Sequence, residues 1–259
     1  MASVAVVVGS GASRLVEAGA VPTPVNTPHG VVELYRVGQG WVLHRHGRPH
    51  RWLPHQIPFR AHAHALQQVG CGALVVSSSV GVLAADVPLF QPMLVSDLVM
   101  LDNRLPDGTA CTMFPAPSPG QGHLVLEEGL FSPALGTQLR SLAASVGAPL
   151  PEREVIFGYR DGPRTKTRAE NRLLARLGLD VNSMTLAPEV VLANELGIAC
   201  AGLAVGHKAS AARAATPDRA ALAASLVASG AALDDLLRAF LERGTPVPWG
   251  NHLYRFDDG

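Results

Sequence analysis

Two strand-to-helix junctions fall within one stretch, residues 155–197, VIFGYRDGPRTKTRAENRLLARLGLDVNSMTLAPEVVLANELG. Short apolar runs that alternate with helix starts confine a chain to an α/β layer architecture. Val155-Ile156-Phe157 stops at the turn signal Asp161-Gly162-Pro163, and Thr167-x-x-Glu170 then has capping-box spacing. After that helix, Leu173, Leu174, Leu177 and Leu179 lead through Gly178 to Asp180-Val181. Ser183-Met184-Thr185 ends a second strand, and Pro188-Glu189 opens the next helix with proline at a favoured early position. Free amides and the helix dipole converge at such a junction, which suits an anion.

The remaining elements fit the same layers. Val4 to Val8, Cys71 to Val76 and Ile198 to Val205 are continuous apolar runs, as expected of strands buried on both faces, and Met93 to Leu101 is a further strand. Helices are expected beyond Pro58, with Phe59, Ala63, Leu66 and Val69 inward, from Ser132 to Val146, and from Asp218 to Arg243. In the last of these, Leu222, Leu226, Leu233, Leu236, Leu237 and Phe240 read as a core stripe. Asp102 to Gly122, dense in Pro and Gly, reads as a loop. We divide the chain into one domain, residues 1–244, and a tail, residues 245–259, that straps the domain or touches a neighbouring subunit. The tail carries Trp249, Tyr254 and Phe256.

Composition narrows the function classes. A chain of 259 residues with 47% hydrophobic and 16% charged side chains is globular and can bury a large core. Its 21 basic and 21 acidic residues leave no net charge to recruit nucleic acid or a membrane surface, which points to small-molecule chemistry. Cys71, Cys111 and Cys200 are widely spaced and form no CxxC pair, so buried free thiols in a reducing cytoplasm are expected. No basic leader and no apolar run of transmembrane length is apparent.

Candidate ligands collect where strands end. Gly9-Ser10-Gly11-Ala12-Ser13 follows the first strand but does not complete GxGxxG, because Arg14 comes next; by spacing alone it is either a tight turn or a loop closing Ser10 on phosphate. Arg45-His46-Gly47-Arg48-Pro49-His50 offers a guanidinium fork suited to phosphate oxygens. Gly47 and Pro49 break any helical spacing of these histidines and no carboxylate accompanies them, so no metal is expected. Ser77-Ser78-Ser79 places hydroxyls at the carboxyl end of a strand, where open α/β sheets bind ligands. His62 and His64 read as a solvated helix face.

GPRTKTRAE followed by SMTLAPEVVLANELGI resembles the purine nucleoside phosphorylase superfamily, in its 5'-methylthioadenosine phosphorylase branch. The resemblance covers about residues 4 to 240 and is poorest from 100 to 150. It implies a single-domain α/β/α sandwich around a central mixed sheet, inorganic phosphate as co-substrate with no other cofactor, and a homotrimer. It also implies a phosphate site of Ser10, Arg45, His46, Ser78 and Thr185 with Ser79 beside it, and Met184 and His50 near the ribose. His123 falls within one residue of the family's 5'-pocket histidine.

The base side departs from the pattern. Lys208 and Ser210 occupy the places of the branch's two aspartates, Thr165 that of the base-stacking phenylalanine, and Lys166 that of the following Ser or Glu. Two lysines facing one pocket lower each other's pKa unless an anion lies between them. The main expectation is a pentosyltransferase that cleaves a nucleoside N-glycosidic bond with phosphate, with base specificity altered by Lys166 and Lys208 and an anionic, oxo-rich or non-purine leaving group. Two alternatives are a methylthioadenosine-type phosphorylase with Lys208 as general acid, and an inactive homologue that binds phosphate or nucleoside.

Overall fold

Val4, Val6 and Val8 pack into one apolar cluster and Ala5 and Val7 into another, which is why the first run carries no polar alternation. The computed structural model describes residues 2–9, 14–210 and 218–255. That first run forms β1 (Ser3–Val8), followed by β2 (Thr23–Thr27), β3 (Gly30–Val37), β4 (Gly40–His44), α1 (Phe59–Gln68) and β5 (Cys71–Val82). Next come β6 (Pro92–Val99), β7 (His123–Val125), α2 (Pro133–Ser145), β8 (Val155–Tyr159), α3 (Arg168–Arg176), β9 (Val181–Ser183) and α4 (Ala187–Glu195). The last elements are β10 (Ala199–Ala209), α5 (Arg219–Arg243) and β11 (His252–Tyr254).

Helix starts follow local chemistry. The Thr167 hydroxyl accepts the Glu170 N–H at 3.2 Å while the Glu170 carboxylate accepts the Thr167 N–H at 2.7 Å, the reciprocal capping box read from sequence. Ser132 caps α2 and Asp218 caps α5, each side chain accepting one N–H of the first turn without a reciprocal partner.

The central sheet is mixed, in the order β10-β6-β8-β9-β5-β1-β4-β3-β2. α1 and α4 cover one face, through Ala61, Leu66, Val190 and Ala193. α2 and α5 cover the other, through Leu135, Leu139, Leu236 and Phe240. The α/β/α expectation holds, with one addition: β10 also pairs with β5, so β5, β9, β8, β6 and β10 close into a barrel.

Three local expectations need correction. β5 runs to Val82 rather than ending at Val76, and β10 runs to Ala209 rather than Val205. The two strands pair in parallel from Ala73↔Ala199 to Val82↔Ala209, so Ser77–Ser79 and Lys208 sit within strands rather than at or beyond their ends. Ladder hydrogen bonds between neighbours carry the polar residues past the apolar run. His62 is 2% exposed and packs edge-on to Trp52, so it belongs to the interior and not to a solvated face. The expected core residues Leu222 and Leu226 have side chains outside the described set.

Candidate active site

Arg45 directly follows β4, and its N–H donates to Val8 O at 3.1 Å, tying this turn to the end of β1. Its side chain is 1% exposed. Nε donates to Glu189 Oε1 at 2.6 Å and Nη1 to Thr185 Oγ1 at 3.2 Å. Thr185 Oγ1 lies 3.3 Å from Ser78 Oγ, which donates to Ser183 Oγ at 3.1 Å. The second Glu189 oxygen accepts the Leu186 N–H, and Leu186 holds φ +78°, a strained value for a branched residue. Arg45 Nη2 is buried without a partner among the described residues. A Cβ on Gly9 would lie 3.0 Å from Arg45 Nη1, so the backbone there passes tightly against the guanidinium. A buried charged donor flanked by hydroxyls and left unpaired calls for an anionic acceptor.

His46 contributes no charge to this cluster. Its Nδ1 lies 2.8 Å from Trp52 O, a carbonyl that can only accept, so Nδ1 carries the proton and Nε2 presents a lone pair. Burial first, and the Arg45 charge second, lower its pKa to about 4. His50 stacks on its ring at 4.5 Å, and the buried His62 is pushed down to about 3, chiefly by burial and then by Arg45.

Farther along the barrel, a row of paired residues crosses four strands, β8, β9, β5 and β10: Gly158↔Asn182, Asn182↔Gly81 and Gly81↔Lys208. Gly81 passes tightly by Ser210, whose Oγ and Cβ a Cβ there would meet at 2.2 and 3.1 Å. Lys166 stands between β8 and the α3 cap and is half-buried, as is Lys208. Burial, then the Lys208 charge, then Arg160, lower the Lys166 pKa to about 8; burial lowers that of Lys208. A Cβ on Gly162 would lie 3.0 Å from Met184 Sδ, so Met184 joins the loop carrying Lys166 to the turn carrying Thr185.

The sequence profile of the Phosphorylase superfamily matches residues 3–242. The chain belongs to this superfamily. Its similarities place it in the methylthioadenosine phosphorylase branch. It is 30% identical over 203 residues to the S-methyl-5'-thioadenosine phosphorylase of Pyrococcus abyssi, covering 76% of each chain. It is 32% identical over 191 residues to the probable S-methyl-5'-thioinosine phosphorylase of Pseudomonas syringae pv. tomato, covering 72% of this chain and 75% of that one. With the S-methyl-5'-thioadenosine phosphorylase of Danio rerio it shares 32% identity over 169 residues, spanning 63% of this chain and only 58% of that relative. The fold matches the methylthioadenosine phosphorylase of Schistosoma mansoni in complex with tubercidin, with a TM-score of 0.77, 22% identity, and coverage of 93% and 91% of the two chains.

The structure gathers Arg45, Ser78 and Thr185 into one hydrogen-bonded cluster, with Ser79 O accepting from Ser183 Oγ at 3.4 Å and His46 adjacent in sequence to Arg45. Ser10 lies outside the described residues. The Lys208 charge contributes to the lowered Lys166 pKa, whereas Thr165 is exposed. His123 is on β7 against Tyr254, lining a cavity of about 810 Å³ with Met100, Cys111, Glu195 and Arg255; none of the anion-cluster residues lines it. Among the described residues no group of three His, Cys, Asp or Glu side chains could hold a metal ion. No helix among them is long and apolar enough to cross a membrane. Sequence reading took Glu189 only as a helix opener and did not single out Asn182. The available signal was a carboxylate in a helix start that is otherwise Ala, Pro and Val.

Proposed function

We propose that this chain cleaves the N-glycosidic bond of a nucleoside with inorganic phosphate, giving a free base and a pentose 1-phosphate. The observation that carries this reading is the Arg45 guanidinium, clamped by Glu189 on one edge, flanked by the Thr185 and Ser78 hydroxyls, and left with a buried unpaired Nη2. A phosphate oxygen forms the bond to C1' while the bond from C1' to the base nitrogen breaks. The electron pair leaves with the base, which then takes a proton. Donors fixed in advance around the phosphate need no reorganisation as charge shifts, which is the main source of rate in such sites.

Ser10, Arg45, Ser78, Ser79 and Thr185 hold phosphate in this reading, with His46 Nε2 accepting the proton that phosphate carries; Met184 and His50 face the ribose, and His123 serves the 5' substituent. Thr165, Lys166, Lys208 and Ser210 form the base side, where Lys208 supplies the proton to the departing base. Base specificity is therefore altered by the two lysines. No cofactor beyond phosphate is needed. The reading includes a homotrimer working in the cytoplasm, to which three buried free thiols are suited.

Free base release from a nucleoside panel, followed with and without phosphate, tests the reaction. Release should require phosphate and yield pentose 1-phosphate, and Arg45→Gln should lower kcat/KM on the order of 100- to 1,000-fold. Release that proceeds equally without phosphate would establish hydrolysis instead.

A further inference from the structure

Among the described residues Arg45 is the one cation bonded to the hydroxyl cluster, and its charge is already balanced. Glu189 Oε1 lies 2.6 Å from its Nε, and the two side chains are 1% and 3% exposed. Ser78, Ser183 and Thr185 contribute neutral hydroxyls. Other arginines of the same turn and of α1 are engaged elsewhere. Arg48 donates to Val16 O and Glu17 O at 3.0 and 3.1 Å, and Arg51 pairs with Glu33 at 3.2 Å. Arg60 donates to Thr112 O and Ala110 O at 2.8 Å each. Residues 10–13 read SGAS and contain no ionisable side chain. The cluster therefore carries no net charge, and any negative charge brought into it meets dipoles rather than a surplus cation.

His46 adds an acceptor to this cluster and not a donor. Trp52 O, 2.8 Å away, fixes Nδ1 as the protonated nitrogen, so Nε2, which has no hydrogen-bond partner among the described residues, offers a lone pair. The groups around the ring do not draw a second proton onto it. Arg45 precedes it, His50 stacks on it at 4.5 Å, His62 of α1 lies buried in the field of both His46 and Arg45, and Glu189 is occupied by Arg45 and Leu186. A fully ionised oxyanion has only acceptors, so an oxygen of it placed against Nε2 sets lone pair against lone pair. An oxygen that carries hydrogen makes a bond there instead.

We propose that this site takes a singly charged oxyanion bearing its own proton, dihydrogen phosphate above all, and discriminates against a dianion of the same shape, with His46 Nε2 as the acceptor that reads the proton. The inference rests on the phosphate reading given above, in which Nε2 faces the oxyanion. Arg45 Nη2 and the Thr185 hydroxyl serve the unprotonated oxygens, and the bound complex holds one proton more than hydrogen phosphate does.

Inorganic phosphate and sulfate are the probes, since both are tetrahedral and only phosphate keeps a proton near neutral pH. Calorimetric titration of the whole chain without nucleoside, in two buffers of different ionisation heat, reads affinity and proton uptake together. At about pH 7 phosphate should bind on the order of 10- to 100-fold more tightly than sulfate, the worth of one hydrogen bond gained against one repulsion. Phosphate affinity should be level below the second ionisation of phosphate. Above it, affinity should fall on the order of tenfold per pH unit, with about one proton taken up per phosphate bound. In His46→Gln, whose amide can turn an N–H towards the anion, the ratio should shrink to within about threefold and the proton uptake should disappear. A Tm raised by either anion verifies that this variant folds.

Equal affinity for sulfate in the wild type, or phosphate bound above its second ionisation without proton uptake, overturns the inference whatever the variant does. A selectivity that survives His46→Gln overturns the role of Nε2. Phosphate-dependent release of base by a protein that binds the dianion would remove this inference and keep phosphorolysis. Proton-coupled, phosphate-selective binding with base release indifferent to phosphate would do the reverse.

Discussion

Glu189 stands three residues into α4, yet it links the two turns on which the anion cluster depends, Arg45 after β4 and Leu186 before α4. Replacing it with Gln leaves a guanidinium buried without a counter-charge, so we expect a loss of about 3–5 kcal/mol in urea-monitored stability and a raised KM for phosphate. An unchanged midpoint would show that the pair is dispensable. Lys166 gives a second prediction through its lowered pKa. Its protonated form is disfavoured in the folded state, so between pH 8 and its ordinary value near 10.5 the unfolded chain binds more protons and stability rises with pH. The Tm of the wild type relative to Lys166→Gln should therefore climb across that window. The groups acting on it are Lys208 and Arg160, which lower its pKa, and Glu170 and Asp161, which raise it. At this scale residue types and motif positions were legible in the sequence, as with Arg45, Ser78 and Thr185. Pairings were not, because nothing in chain order indicates that a guanidinium at 45 meets a carboxylate at 189.

Element starts were readable where local chemistry sets them, as at the Thr167–Glu170 box, and element ends were not where a neighbouring strand sets them. β5 and β10 each outrun their apolar runs because they pair with each other to Val82 and Ala209. Gly81 lies in that extension, and Gly81→Ala tests its importance. A methyl there meets Ser210 Oγ at 2.2 Å and Ser210 Cβ at 3.1 Å, while the Ser210 N–H is held to Val82 O at 2.6 Å, so the Ser210 hydroxyl must turn away and its backbone shift slightly. We expect KM for the nucleoside to rise about tenfold or more with KM for phosphate little changed, since the hydroxyl cluster lies three residues back. Equal effects on both constants would show that the two ends of the site are not separable. His62 illustrates the limit of periodicity: α1 places it under Trp52, inside rather than out.

The tail binds back onto the molecule through the β11–β7 pairing and through a cluster of bonds around Asn251. Asn251 Oδ1 accepts the N–H groups of Glu127 and Glu128, and its Nδ2 donates to Gly129 O and to Asn194 Oδ1, which also receives Trp249 Nε1. With each of these hydrogen bonds buried or part-buried, Asn251→Ala should cost about 2–3 kcal/mol and increase proteolysis of the tail, as limited digestion would reveal. Sedimentation at a mass three times 27.1 kDa is expected of the proposed homotrimer, and a monomer would refute it. By itself the sequence determined the layer order, the Thr167–Glu170 cap, the free thiols and the residue types at the proposed anion and base sites, because these rest on local periodicity, turn chemistry and family motifs. Only the tertiary structure decided that β10 closes on β5, that Glu189 anchors Arg45, and that the Lys208 charge acts on Lys166. Those are distances between segments far apart in the chain, and they are fixed by sheet register and burial rather than by any neighbour in sequence.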